Sequence, residues 1–184
     1  MTTLLDARTA LFARSGIAPD GGYKDRWVHL KVGPIPLVIL NTETRRDAVR
    51  FHDLHHVLTG YKTDWPGEFE ISAWEIATGC ADKSFAWIIN LQGLAAGTLS
   101  WPRRTFVAFV RGLRSRNLYR ASFDDTLLAT DLESKRVELG LLHDGHNATA
   151  LETRQFLVWA AIAWLGVLGP FAALVALGSW LFAA

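Results

Sequence analysis

From Gln155 to Ala184 the sequence QFLVWAAIAWLGVLGPFAALVALGSWLFAA carries no charged side chain, and no other feature limits the fold as strongly. A helix of that length exceeds the roughly 30 Å of a bilayer's hydrocarbon core. The alternative is a helix in the core of a soluble domain, but such helices seldom lack a charged face altogether. The chain therefore divides into a helical domain over residues 1–154 and a membrane segment over residues 155–184. Gly169-Pro170, near the middle of that segment, allows either one kinked spanning helix or a re-entrant hairpin of two short arms. The basic residues ahead of it, Lys135, Arg136 and Arg154, favour the cytoplasmic side for the soluble part.

The 184 residues carry a formal net charge of +1. Phosphate binding on the scale of nucleic acid needs a large basic excess, so no nucleic-acid partner is expected. The single cysteine, Cys80, cannot form an internal disulfide, which fits a reducing compartment and a buried structural thiol. The opening MTTLLDARTALFAR lacks a basic region followed by an apolar one and reads as an amphipathic helix rather than a secretory signal.

Local patterning makes the fold mainly α. WVHLKV alternates like a half-buried strand, and IPLVIL is a short apolar run that Pro36 confines to an edge, so a short N-terminal β-hairpin is expected here. Asn41-Thr42 starts a helix and Gly60 ends it, which puts residues 43 to 59 on one helix. Trp65-Pro66-Gly67 opens the next, running through EFEISAWEIATGC. SFAWIINLQGLAAGTLSW reads as an uncharged helix, RTFVAFVRGLRSRNLYR as a basic amphipathic one, and DLESKRVELGLL ends the soluble part.

The chemistry is concentrated in HDLHHVLTGYKTDWPGE. At about 100° per residue, His52, Asp53 and His56 fall within roughly a 100° arc, while Leu54, Val57 and Leu58 face a core. Glu68 begins the next helix after a turn, and a helical hairpin brings it back to that face. Two imidazoles and two carboxylates suit a divalent ion such as zinc, iron or manganese. Histidines on an exposed helix face also cluster without metal, and a hydrolase of the HD type would need further distant ligands. His55 points away and is expected in a supporting or surface position. Arg45, on the ligand face, could orient a carboxylate or attract an anionic substrate. Glu75 is the local general-base candidate if the site were a metallohydrolase. The second cluster, HDGH at 143–146, reads more simply as a polar turn. Arg111, Arg114, Arg116 and Arg120 could meet an anionic head group or a lipid surface, although a solvated basic face is the commoner meaning of such a run.

As a pattern the stretch is H-D-x-x-H-x(11)-E, filled by His52, Asp53, His56 and Glu68. This resembles the metal-binding signature of the coenzyme Q biosynthesis protein family commonly called Coq-four. The flanks HDLHHVLTGY and GEFEISAWEIA, and the downstream RGLRSRNLYRASFDDTLLATDLESKRVELGLL with Arg136-Val137-Glu138-Leu139-Gly140, extend the resemblance over about residues 45 to 142. The lead-in before residue 45 and the uncharged tail lie outside it. The resemblance implies an all-helical, membrane-associated protein that holds a metal through those four residues and acts in ubiquinone formation. The role is either oxidative replacement of the ring carboxylate of a polyprenylated benzoate by hydroxyl, or that of a non-catalytic prenyl-lipid-binding scaffold with a structural metal. Its implied partners are membrane lipid, the polyprenylated quinone precursor and other quinone biosynthesis enzymes, with homo-oligomerisation left open. SFAWIINLQGLAAGTLSW would then face the isoprenoid tail.

Overall fold

The computed structural model of the protein describes residues 1–32, 35–142 and 144–183. Its elements run α1 (Leu4–Ser15), β1 (Trp27–Val32), β2 (Ile35–Leu40), α2 (Glu43–Thr59), α3 (Trp65–Thr78), α4 (Ser84–Ser100), α5 (Pro102–Leu113), α6 (Asp125–Leu128), α7 (Leu132–Glu138) and α8 (Ala150–Ala183). The expected mainly α fold, its N-terminal hairpin and its apolar C-terminal helix are all present. The strands pair antiparallel from Trp27 opposite Leu40 to Val32 opposite Ile35.

Helix boundaries follow from their caps. Thr42 accepts the Arg45 N–H and opens α2, and Gly60, at φ 79°, closes it in the left-handed conformation that a side chain would resist. Asp64 accepts the Gly67 N–H at the start of α3, where Pro66 occupies a first-turn position that needs no donor. Side chains facing helix α2 and its neighbours fill one core around Phe51, Leu54, Leu58, Trp74, Phe109 and Tyr119.

Helix α3 is the centre of the domain because its neighbours approach closely. A Cβ on Gly93 of α4 would stand 2.2 Å from Ser72 Oγ, and one on Gly112 of α5 would stand 2.7 Å from both Ala77 Cβ and the Trp74 carbonyl. Glycine at these two positions lets the helices touch at backbone distance, which a methyl group would prevent.

One expectation is corrected. RTFVAFVRGLRSRNLYR is helical only through Leu113, because Leu118 and Tyr119 turn into the core, at 3 % and 2 % exposure, instead of continuing the helix. Of the two forms that Gly169-Pro170 left open for the tail, the structure has the single continuous helix. Its start is fixed by reciprocal bonds between Thr149 and Glu152, and Arg114 grips the Glu152 carboxylate at 2.7 and 2.9 Å. Over residues 150–174 it is long and apolar enough to cross a membrane, and little of that stretch is buried. Its first turns belong to the domain core. Phe156 packs on Phe106 and Phe109, Trp159 stacks on Trp87, and Ala163 is fully buried.

Candidate metal centre

Helices α2 and α3 run antiparallel, so that His52 meets Glu75 and His56 meets Glu68. The ligand atoms of His52, His56 and Glu68 all lie within 4.8 Å of one another and could hold a metal ion. His52 Nε2 stands 3.2 Å from His56 Nε2 and 3.4 Å from Glu68 Oε2, and His56 Nε2 stands 3.4 Å from Glu68 Oε1. Two ligands roughly 2.0–2.1 Å from a tetrahedral ion are about 3.3 Å apart, so these spacings match the edges of such a site.

The tautomers point the same way. His56 Nδ1 lies 3.0 Å from the Tyr61 carbonyl, which can only accept, so Nδ1 carries the proton and Nε2 has a free lone pair. His52 Nδ1 lies 3.0 Å from Glu75 Oε1 and is a donor for the same reason. Two imidazole lone pairs would then face each other, and something positive must sit between them. Without an ion, that is a proton. Burial would lower the His52 pKa, but the Glu75 charge and the bonds to Glu68 and Glu75 raise it well above the ordinary imidazole value. Glu68 is held down to about 2, because its bonds to His52 and His56 outweigh the opposing effect of burial. A metal ion would take the place of the His52 proton.

No family model, curated protein or solved structure matches the chain.

Glu75 is fully buried and is the hub beneath the ligands. Its Oε1 accepts from His52 and, at 2.6 Å, from His55 Nδ1, and its Oε2 accepts from Asn90 and, at 2.6 Å, from the Tyr119 hydroxyl. Burial would raise its pKa, but the charge of His52 and the bonds from His52 and His55 hold it well below the usual carboxylate range. Enclosed by four donors, it has no access to a substrate proton, so the general-base reading of Glu75 is replaced by one in which it orients His52. His55 is not a surface residue. It is fully buried, bonded to Glu75 on one side and accepting the Leu118 N–H at 3.0 Å on the other, and burial lowers its pKa against the opposing effect of Glu75.

Asp53 stands outside the triangle of ligand atoms, which is a departure from the four-residue set expected. Its carboxylate accepts the hydroxyl of Tyr23, a residue of the loop before β1, and lies close enough to feel the charges of His52, His56 and Glu68. Burial raises its pKa, partly offset by the Tyr23 bond. Arg45 bonds Asn41 Oδ1 at 2.9 Å and acts on Asp53 and Tyr23 through its charge rather than touching a ligand.

Three of the four arginines expected at a head group have other partners. Arg111 donates to the Thr59 and Leu141 carbonyls, each at 2.9 Å, Arg114 to Glu152, and Arg116 to the Glu138 carbonyl, while Arg120 is exposed. Arg136 donates to the Val57 and Leu58 carbonyls at 2.7 and 2.9 Å. Arg111 and Arg136 together satisfy the last carbonyls of α2, where the helix dipole also favours a cation. The helix that carries the histidines is thus pinned one turn beyond His56. Of the HDGH cluster, His143 lies outside the described residues, and Asp144 accepts the His146 N–H as in a polar turn.

Proposed function

We propose that the protein is a membrane-attached metalloprotein of ubiquinone biosynthesis that acts on the ring of a polyprenylated benzoate, replacing its carboxylate oxidatively by hydroxyl. The observation that carries the reading is the asymmetry of the metal cluster. Its inner side is closed by Glu75, Tyr61 and the α2 backbone, with His56 at 2 % exposure, while His52 and Glu68 remain 20 % and 37 % exposed. A structural ion would be enclosed on all sides, whereas this one would keep an open face. The signature H-D-x-x-H-x(11)-E supplies the substrate class by resemblance.

In this reading His52, His56 and Glu68 hold the ion, and Asp53, beside them on α2, adds negative charge close to it. Dioxygen would be the oxidant, one of its atoms becoming the hydroxyl and the other leaving as water with two electrons from an external reductant, while the carboxylate leaves as carbon dioxide; a bound iron or manganese would supply the redox chemistry that this exchange demands, which zinc cannot. Glu75 keeps Nδ1 of His52 protonated, and the Tyr61 carbonyl does the same for His56, so both Nε2 lone pairs stay directed at one point. The cation at Arg45 favours an anionic substrate near Asp53. Helix α8 attaches the domain to the membrane, and Arg154 at its base favours the cytoplasmic side. The apolar α4, packed on α8, offers a surface for the isoprenoid tail.

The test is complementation of a quinone-deficient strain with His52→Ala and Glu68→Ala. Both variants are expected to reach the membrane folded and to restore no quinone. Normal quinone yield from either variant would refute the catalytic reading.

A further inference from the structure

Asp53 shares a helical face with His52 and His56, yet its carboxylate is tied to another part of the chain. It is 8 % exposed, and the Tyr23 hydroxyl donates to its Oδ2. The ligand atoms of His52, His56 and Glu68 converge without it. A carboxylate oxygen that accepts a phenol hydrogen has committed one of the lone pairs that an ion would take.

Tyr23 is itself held in place from several sides. Its loop, between α1 and β1, carries Gly21 and Gly22 at φ +72° and +65°, conformations that side chains rarely adopt. The Tyr23 ring folds back onto this loop so closely that a Cβ on Gly21 would stand 2.5 Å from its Cζ. Phe12 of α1 meets the ring edge-on, with centroids 6.2 Å apart. Asn41, 3 % exposed, clasps the loop from the other side, its amide donating to the Gly22 and Asp25 carbonyls at 3.0 and 2.7 Å. Arg45 of α2 in turn donates to Asn41 Oδ1 at 2.9 Å. The loop is thereby joined to the helix that bears Asp53, and the hydroxyl reaches the carboxylate from a fixed point.

We infer that Tyr23 is a positioning residue of the metal centre: it holds the Asp53 carboxylate away from an ion on His52, His56 and Glu68, so that three protein ligands bind the ion and a further position stays open to water or substrate. The inference rests on the metal reading of that cluster and sets its ligand number. Three protein ligands with an open position characterise catalytic sites, whereas a fourth protein ligand closes a tetrahedral one.

The experiment titrates the metal-free whole chain, in detergent, with manganese(II). It reads affinity together with the water-proton relaxation induced by the bound ion, which reports exchangeable water on it. Tyr23→Phe keeps the ring against Gly21 and Phe12 and removes only the hydroxyl. Asp53, once freed, is expected to turn onto the ion and displace a water. Affinity should then rise about tenfold, as added ligand charge raises it, and the relaxation enhancement per bound ion should fall. Gly21→Ala displaces the ring without altering the hydroxyl and should move both readings the same way. In an Asp53→Asn background, adding Tyr23→Phe should move neither. Binding weakened by about 10–100-fold in Tyr23→Phe would overturn the inference and make Asp53 a ligand that Tyr23 orients. Unchanged affinity and relaxation in Tyr23→Phe, with the fold intact by circular dichroism, would overturn it and leave Tyr23 a structural contact. Wild-type protein that takes up neither manganese(II) nor iron(II) would overturn the metal reading itself, and the inference with it.

Discussion

Glu75 of α3 fixes His52 of α2 from behind, with its Oε1 3.0 Å from His52 Nδ1 and the rest of its carboxylate closed off by His55, Asn90 and Tyr119. One buried carboxylate thereby sets the direction of a lone pair on the opposite side of the imidazole ring. Glu75→Gln keeps the shape and removes the charge, and metal affinity is expected to fall about 10–100-fold, the usual effect of losing such a partner. Glu75→Ala leaves several buried donors without an acceptor and is expected to destabilise the fold by about 3–5 kcal/mol. Metal titration of the first variant and denaturant unfolding of both check this. Unchanged affinity in Glu75→Gln would show that His52 is not oriented by Glu75.

Asp53 and His52 are neighbours on α2 but are expected to differ in weight. Asp53→Asn keeps an acceptor for the Tyr23 hydroxyl and leaves the three converging ligands intact. Its metal affinity is expected to fall, yet stoichiometric metal should remain at saturating concentration, whereas His52→Ala should bind none. Equal and complete loss in both variants would make Asp53 as strong a ligand as the histidine.

Arg136 ties the Arg-x-Glu-Leu-Gly segment to the end of α2. Arg136→Ala orphans the Val57 and Leu58 carbonyls and is expected to lower stability by about 1.5–3 kcal/mol for each charged hydrogen bond lost. Arg136→Lys should recover only part of this, since one ammonium cannot reproduce the fork that reaches both carbonyls. Unfolding of the detergent-solubilised protein measures both differences, and full recovery by lysine would reduce the contact to simple charge.

Gly93 tests the packing that brings α4 onto α3. Gly93→Ala drives a Cβ into Ser72, and the strain is expected to be about 1–3 kcal/mol. Adding Ser72→Gly should return most of it, because the clash is with that one side chain. A double variant no more stable than Gly93→Ala would place the strain elsewhere.

Much of the fold is legible in the sequence because the signals are local. Thr42 and Gly60 bound α2, Asp64 and Pro66 open α3, and the charge-free run after Arg154 gives α8. RSRNLYR continues an amphipathic pattern and so reads as helix, but Tyr119 must reach Glu75, and that long-range contact overrides the local preference. The cluster of His52, His56 and Glu68 is legible through the spacing on one helix and the return of Glu68 across a short turn. Its supports are not. Asn90 sits in an apolar run, Tyr23 in a glycine-rich loop and Tyr61 contributes only its carbonyl, so no periodicity distinguishes any of them. The basic run at Arg111 and Arg114 misleads for a related reason, since charge patterning does not reveal which carbonyls and carboxylates lie within reach.

The most direct measurement is metal content by elemental analysis of the protein purified from its own membrane, without affinity-tag nickel, alongside His52→Ala and Glu68→Ala. About one equivalent of iron or manganese per chain, lost in both variants while the fold persists, is the expected result and is what redox chemistry on a quinone ring requires. Well-folded wild-type protein that carries no metal, or that keeps its metal in either variant, would contradict the account.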